Sequence, residues 1–347
     1  MDPLNKTEIG HRQLRVTKLG FGGTPIGGDR AEVSEEDAIS SIRHALELGI
    51  TYFDTAPLYG HGKSERFYGL SLSQVPRESF VLSTKVGRVL NPVSSPENMA
   101  PNGFINLDPF TPVYDYSRDG VMRSLDESLK RLKLDRIDIA MIHDPDEFDS
   151  ARPGGDFRKP VHYNTAINET FPALEELRSD GVIKAIGVGM NQWQALVRFA
   201  KDAEFDCFLL AGRYTLLDHS ALDELLPLCA EKQISVVLGG PYNSGILASD
   251  LSPGAQYFYA NASEDVLQRA RRINAICERH NIPIKAAALQ FGLAHPAVAA
   301  TIPGSRNRSE VENNLAMARF QIPNEMWEEI RHEGLIPDDA PTPDTIG

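Results

Sequence analysis

Cysteine is scarce in this sequence, with 3 in 347 residues. Cys207, Cys229 and Cys277 are odd in number and far apart, which excludes a disulfide framework and a cysteine-based metal centre and leaves them as small buried hydrophobes. Long apolar runs are also lacking. The most apolar stretch, residues 286–302, is broken by Gln290, His295 and Pro296, which excludes a membrane-spanning helix. Residues 1–16 are polar throughout, so no secretory leader is expected, and the cytosol is the expected compartment. Basic clusters are missing. With 35 Lys and Arg against 48 Asp and Glu, the formal net charge of −13 argues against nucleic acid and anionic membrane as partners. A GxGxxG fingerprint is missing too: GFGGTPIGG at 20–28 and GVGMNQ at 187–192 do not fit it, which argues against a Rossmann unit.

What is present is an ordinary globular composition, 41% hydrophobic and 24% charged, long enough for a large core. Residues 12–19 alternate and are expected to pair with the preceding residues as an N-terminal β-hairpin. Short, continuous apolar strands are expected at 19–26, 50–53, 80–84, 137–142, 183–188, 206–210, 234–238 and 299–302. Helical spacing appears between them, at 34–49, 117–133, 166–179, 192–201 and 221–231. Further helices begin near Ser263 and Pro283, and two more follow the last strand. Eight strand-then-helix units with crossover-length connections argue for an α/β fold, a (β/α)8 TIM barrel, as one domain over residues 1–347. Three connections, 86–116, 144–165 and 239–262, are too long to be structural alone. All three follow strands, so they belong to the C-terminal face, where such a barrel carries its chemistry.

Four polar residues stand at that face. Asp54 follows the apolar ITYF, Lys85 follows FVLST, and His143 follows IDIAMI. Tyr59 lies in the glycine-bounded loop just beyond Asp54. Singly, each has an unremarkable structural explanation: a helix cap, a surface ring, a snorkelling lysine, a satisfied core histidine. Together, Asp54, Lys85 and His143 occupy equivalent positions at the ends of three successive strands, with Tyr59 in the first loop above them. A phenol titrates near ~10 and is a poor acid or base at neutral pH, but a neighbouring ammonium favours its phenolate. A carboxylate holds that ammonium, and an imidazole can orient an oxygen and stabilise developing charge. The set suits proton exchange with a carbonyl or alcohol oxygen. No acyl-transfer nucleophile and no metal-ligand cluster accompany it, so the hydride has to come from, or go to, a cofactor.

In type, order, spacing and strand position these four residues match the catalytic tetrad of the aldo-keto reductases. The chain resembles that family over nearly its whole length, from LGFGG at 19–23 to IPGSRNRSEVENN at 302–314, and FDTAPLYGHGKSE at 53–65 is among the more specific signatures. The resemblance implies a (β/α)8 barrel that binds an extended nicotinamide dinucleotide. It implies Tyr59 as general acid/base, Lys85 lowering its pKa, Asp54 pairing with Lys85, and His143 positioning the substrate oxygen. Expected cofactor contacts are Gly23, Thr24 and Asp54 at the mouth and Asn191 at the carboxamide. The loop with Gly240, Pro241, Tyr242, Asn243 and Gly245 is expected over the pyrophosphate. Ser305, Arg306 and Asn314 are expected beyond the last strand, where helix-start N–H groups suit phosphate. Tyr214 or Tyr242 is the candidate to stack on nicotinamide. Where NADPH-preferring members carry a lysine and an arginine, this chain has Gly304 and Glu310. A carboxylate would repel a 2′-phosphate, so NAD is expected, with NADP possible through Arg306 or Arg308.

Within the family, the His143-Asp144-Pro145 turn, GGPYNSGIL at 239–247 and DDAPTP at 338–343 are most similar to the aldose 1-dehydrogenase branch (L-fucose or D-threo-aldose type), which resembles pyridoxal 4-dehydrogenase. The expected reaction oxidises the anomeric carbon of a sugar hemiacetal to a lactone. The expected partner is thus a small-molecule sugar or other cyclic hemiacetal, and Asp144, Asn191 and Arg213 are candidates to hold its hydroxyls. Pyridoxal, itself a cyclic hemiacetal former, is an alternative substrate that would give 4-pyridoxolactone. An NADPH-dependent carbonyl reductase and a non-catalytic regulatory barrel are the rival readings, and the intact tetrad argues against the second.

Overall fold

The computed structural model describes residues 2–95, 99, 103–146 and 160–343. Its centre is a parallel barrel. The strands are β1 (Phe21–Gly22), β2 (Tyr52–Asp54), β3 (Val81–Val86), β4 (Ile139–His143), β5 (Ala185–Met190), β6 (Cys207–Ala211), β7 (Ser235–Gly239) and β8 (Val298–Ile302). They pair in chain order. The seam between β1 and β8 is closed by parallel bridges, Leu19 with Thr301 and Gly22 with Gly304. Along it Gly20 N–H donates to the Thr301 carbonyl at 2.9 Å and Gly22 N–H to that of Pro303 at 3.0 Å.

The strands read as continuous apolar runs because both of their faces are buried. Successive side chains point to opposite faces and feed two separate cores. Tyr52, Ile139, Met141, Cys207, Leu209 and Val237 fill the barrel interior. Phe53, Leu82, Ile142, Val188, Phe208 and Leu238 pack outward against the helices. The expected hairpin is present: Lys6–Glu8 pairs antiparallel with Arg15–Thr17, and Ile9, Leu14 and Val16 join the interior core and plug the N-terminal end.

Around the barrel lie α1 (Glu35–Glu47), α2 (Lys63–Leu72), α3 (Arg118–Leu132), α4 (Phe171–Ser179), α5 (Trp193–Asp202), α6 (Leu225–Lys232), α7 (Glu264–Arg279), α8 (Ile284–Phe291), α9 (Arg308–Arg319) and α10 (Asn324–His332). Ser34, Ser117 and Ser263 cap α1, α3 and α7, each side chain accepting from a backbone N–H three residues on and satisfying an orphan donor. Helix α2 was not legible from apolar spacing. The reason is that its buried face is partly polar: Glu65, fully buried, accepts from Thr84 Oγ1 and from Arg131 Nε, both at 2.7 Å. Helix α4 is entered through a π-turn, Ala166–Thr170, and α6 begins at Leu225, four residues later than its apolar spacing suggests.

Two of the three long connections contain structure of their own. The one after β3 holds an antiparallel ribbon, Arg88–Pro92 with Phe110–Tyr114. The one after β7 holds a short ribbon, Gln256–Tyr257 with Ala260–Asn261. The middle of the connection after β4, residues 147–159, and the end of the tail, 344–347, lie outside the described residues.

The glycine-rich loop after β1 lies backbone against backbone on the loop carrying Tyr59. A Cβ on Gly60, whose φ is +66°, would sit 2.3 Å from the Gly27 carbonyl oxygen. Gly60→Ala is therefore expected to lower the unfolding free energy by at least ~2 kcal/mol in urea titrations, from left-handed strain plus overlap. Gly181→Ala, with φ +74° but nothing within 4 Å, should cost only the strain, ~1–2 kcal/mol.

Candidate active site

The four expected residues meet at the C-terminal mouth. Asp54 ends β2, Lys85 is the penultimate residue of β3, and His143 ends β4. Lys85 Nζ donates to Asp54 Oδ2 at 2.7 Å and to the Thr55 carbonyl at 2.8 Å. The pair is sealed, with side-chain exposures of 1% and 3%. Asp54 Oδ1 accepts from Ser83 Oγ at 2.7 Å. Ser83 sits two residues before Lys85 on β3, so period-2 alternation aims both inward. That alternation was the signal by which Ser83 could have been found. Gly189 on β5 leaves room for the lysine, since a Cβ there would lie 3.4 Å from Lys85 Cε.

Tyr59 closes over this pair. Its ring centroid is 4.8 Å from Lys85 Nζ and meets the His143 imidazole edge-on at 5.8 Å. Burial raises the pKa of the Tyr59 phenol, while Lys85 and hydrogen bonds from Thr24 and Lys85 pull it down. The net shift is upward. This differs from the expected net lowering: Lys85 acts in the expected direction, but desolvation of the phenolate outweighs it. Burial opposes the charge on Lys85 itself, but Asp54 and Tyr59 more than offset that and its pKa is raised. Lys85 is therefore a firm cation. Burial, then the charges of Arg88 and Lys85, hold the His143 imidazole well below its usual pKa, so it is neutral.

Sequence reasoning missed Arg88 and gave Asp144 only a place among candidate sugar contacts. Asp144 Oδ2 lies 2.8 Å from Arg88 Nη2 and 3.3 Å from His143 Nε2. Tyr116 donates its hydroxyl to the carbonyls of both His143 and Asp144, at 2.6 and 2.8 Å, clamping the turn after β4. Arg213, another candidate sugar contact, is bound by Asp218 of its own loop at 2.8 Å and lies over the Phe258 ring of the ribbon after β7 at 3.6 Å.

The expected cofactor residues fall into three places. Asn191, just past β5, donates to the Ala211 carbonyl at 3.0 Å and to the Tyr259 hydroxyl at 3.3 Å. Tyr259, delivered by the ribbon after β7, is an aromatic neighbour that sequence reasoning did not name. Beyond β8, Tyr242 donates to Asn314 Oδ1 at 2.7 Å and Asn314 to Ser305 Oγ at 3.0 Å. Arg306 Nε is buried without a partner among the described residues. Gly240 and Gly245, with φ of +59° and +101°, leave open backbone around Pro241.

Other expected contacts serve the fold. Asn243 is held by Thr215 Oγ1 and donates to the Gly212 carbonyl at 3.2 Å, bracing the loop after β7 onto the loop after β6. Gly23 N–H donates to the Asp54 carbonyl at 2.8 Å. Tyr214 is 1% exposed and packs on Phe291 and His295, so it is a core residue and not a stacking ring at the mouth. At the start of α9, Arg306 N–H donates to the Glu310 carboxylate at 2.8 Å and Glu310 N–H to Asn307 Oδ1 at 3.0 Å. Two of the N–H groups expected for phosphate are thus satisfied by the cap.

Residues 18–333 match the model of the aldo/keto reductase family. The chain belongs to that family. It is 39% identical over 340 residues to a pyridoxal 4-dehydrogenase of Microbacterium luteolum, covering 95% of this chain and 98% of the relative. It is 37% identical over 328 residues to a D-threo-aldose 1-dehydrogenase of a Pseudomonas species, covering 93% and 96%. An aldo-keto reductase from Bacillus halodurans in its holo form superposes with a TM-score of 0.72 at 26% identity, covering 96% of each chain. A glycerol dehydrogenase from Gluconobacter oxydans, TM-score 0.68 at 20% identity, shares the fold, covering 99% of this chain and 98% of its own. The protein is accordingly an oxidoreductase of a family that uses nicotinamide cofactors. Among the described residues no group of three or more His, Cys, Asp or Glu is placed to hold a metal, and no helix is long and apolar enough to cross a membrane.

The neutral His143 carries a pH signature. Its folded pKa lies below the unfolded value of 6.5, so the unfolded chain binds the extra proton first as pH falls. Stability then drops with falling pH from just above 6.5 downward. Asp144 opposes this as pH falls from its own folded pKa towards the unfolded value of 3.8, because burial raises that pKa against the pull of Arg88. In His143→Asn, the slope of unfolding free energy against pH between ~7.5 and ~6 should shrink by up to ~1.4 kcal/mol per pH unit, the linkage of one proton. Urea unfolding across that range measures it.

Proposed function

We propose that this protein is an NAD-preferring aldose 1-dehydrogenase that oxidises the anomeric carbon of a cyclic hemiacetal to a lactone. The observation that carries the reading is the sealed Asp54–Lys85 pair beneath Tyr59 and the neutral His143 at one barrel mouth. Likeness to a D-threo-aldose 1-dehydrogenase and a pyridoxal 4-dehydrogenase points the same way, since both substrates can present a hemiacetal hydroxyl.

In this reading His143 and Tyr59 receive the hemiacetal hydroxyl oxygen. Tyr59 takes its proton, and the Lys85 ammonium, held by Asp54, stabilises the phenolate needed to accept it. The neutral imidazole orients the same oxygen without adding a competing positive charge. A nicotinamide dinucleotide, when bound, supplies the hydride acceptor. The residues present fit such a group. Asn191 offers an amide at the mouth, Gly240 and Gly245 leave backbone open for a close approach, and the buried Arg306 Nε awaits an acceptor. Glu310 supports NAD over NADP: its carboxylate sits at the start of α9 beside Arg306, where a 2′-phosphate would meet negative charge.

Tyr59→Phe should reduce kcat/KM for oxidation by ~10²–10⁴-fold while NADH still binds, as loss of a general base requires. Unchanged turnover would remove the tetrad assignment. A panel of L-fucose, D-arabinose, L-galactose and pyridoxal with NAD and NADP, read by absorbance and lactone detection, tests substrate and cofactor together. NAD is expected to give the higher kcat/KM. A clear NADP preference, or turnover of pyridoxal alone, would replace the corresponding half of the reading.

A further inference from the structure

We propose that Asp144, braced by Arg88, is a specificity-determining residue that accepts a hydrogen bond from the substrate hydroxyl on the carbon next to the reacting carbon. The inference rests on the hemiacetal oxidation proposed above and names the feature of the substrate that this site selects.

The first support is position. Asp144 Oδ2 lies 3.3 Å from His143 Nε2. An oxygen held by that nitrogen at ~2.8–3 Å lies beside the carboxylate, so a hydroxyl one carbon further along falls within its reach. The second support is the state of the carboxylate oxygens. Both described contacts, with Arg88 Nη2 and His143 Nε2, use Oδ2. Among the described residues Oδ1 has no hydrogen-bond partner, and it is not among the buried unpartnered atoms. Oδ1 is therefore the oxygen that neither Arg88 nor His143 engages.

The third support is pre-organisation. Asp144 has φ +41°, a left-handed backbone uncommon for a residue with a side chain. The strain is held by three bonds: Asp144 N–H to the Gly189 carbonyl at 2.9 Å, and the Tyr116 hydroxyl to the carbonyls of His143 and Asp144. Arg88 is 7% exposed and lies over the Tyr114 ring at 5.0 Å. A buried ion pair with strained backbone at a catalytic rim contributes little to stability by itself. It does hold an acceptor in one place. A site that presents a buried acceptor to a hydroxyl rejects an analogue lacking that hydroxyl, because the acceptor is then left desolvated and unpaired.

The test compares L-fucose with 2-deoxy-L-fucose, and L-galactose with 2-deoxy-L-galactose, using NAD and the full-length protein. Wild type is expected to favour the 2-hydroxy sugar by ~10–100-fold in kcat/KM, the worth of one hydrogen bond to a charged acceptor. In Asp144→Asn, which suits the left-handed backbone, that ratio should collapse to within ~3-fold, mainly through KM for the 2-hydroxy sugar. The double variant Arg88→Met with Asp144→Asn leaves no buried charge unpaired and should give the same collapse. NADH binding by fluorescence and the thermal midpoint report on whether each variant is folded. If either folded variant keeps the wild-type ratio, or lowers both sugars by the same factor, Asp144 acts on the fold or on His143 alone and the assignment is overturned. If wild type turns over none of the four sugars, it is the aldose reading that fails, and this inference fails with it.

Discussion

The structure of the mouth depends on one buried ion pair. An ammonium and a carboxylate at 2.7 Å, each almost wholly removed from water, are costly to bury and costly to break. Removing either partner from such a pair leaves an uncompensated charge, a loss of ~3–5 kcal/mol. The surroundings are arranged accordingly. Ser83 satisfies the second oxygen of Asp54, the Thr55 carbonyl takes another proton of Lys85, and Gly189 withholds a side chain where the lysine stem passes. Tyr59 then sits over the Lys85 ammonium, 4.8 Å from its ring centroid. The low dielectric that makes the pair expensive also makes the ammonium an effective stabiliser of phenolate.

A second ion pair lies one strand further round and works differently. Asp144 and Arg88 come from a turn and from the ribbon after β3, not from barrel strands, and they meet the tetrad at His143, whose Nε2 lies 3.3 Å from Asp144 Oδ2. That separation matches the way a barrel divides its labour: strand ends hold the proton chemistry, and loops choose what is brought to it. The ribbon after β7 acts at the same mouth, placing the Tyr259 hydroxyl against Asn191.

Much of this was legible in the chain itself. Barrel strands are buried on both faces, so they appear as short apolar runs, and a charged residue directly after such a run stands out. Asp54, Lys85 and His143 were visible for that reason. Capped helices were equally visible, since Ser34, Ser117 and Ser263 carry their own signals. Helix α2 was hidden because its inward face buries a glutamate that only Thr84 and Arg131, distant in sequence, make tolerable. Tyr214 looked like a ring at the mouth because nothing local distinguishes a phenol over a cofactor from one in the core.

By itself the sequence determined the barrel, the order of its strands, the places of Asp54, Tyr59, Lys85 and His143 at its mouth, and the family. Those follow from periodicity and from residues whose neighbours lie on the next strand, which topology supplies. Only the tertiary structure decided the balance of energies between them. Burial, a sum over the whole surroundings, raises the Tyr59 pKa above what its Lys85 neighbour would set, and it keeps His143 neutral. The partners of Asp144, one from the ribbon after β3 and one beside it on β4, came together only when the loops folded over the mouth.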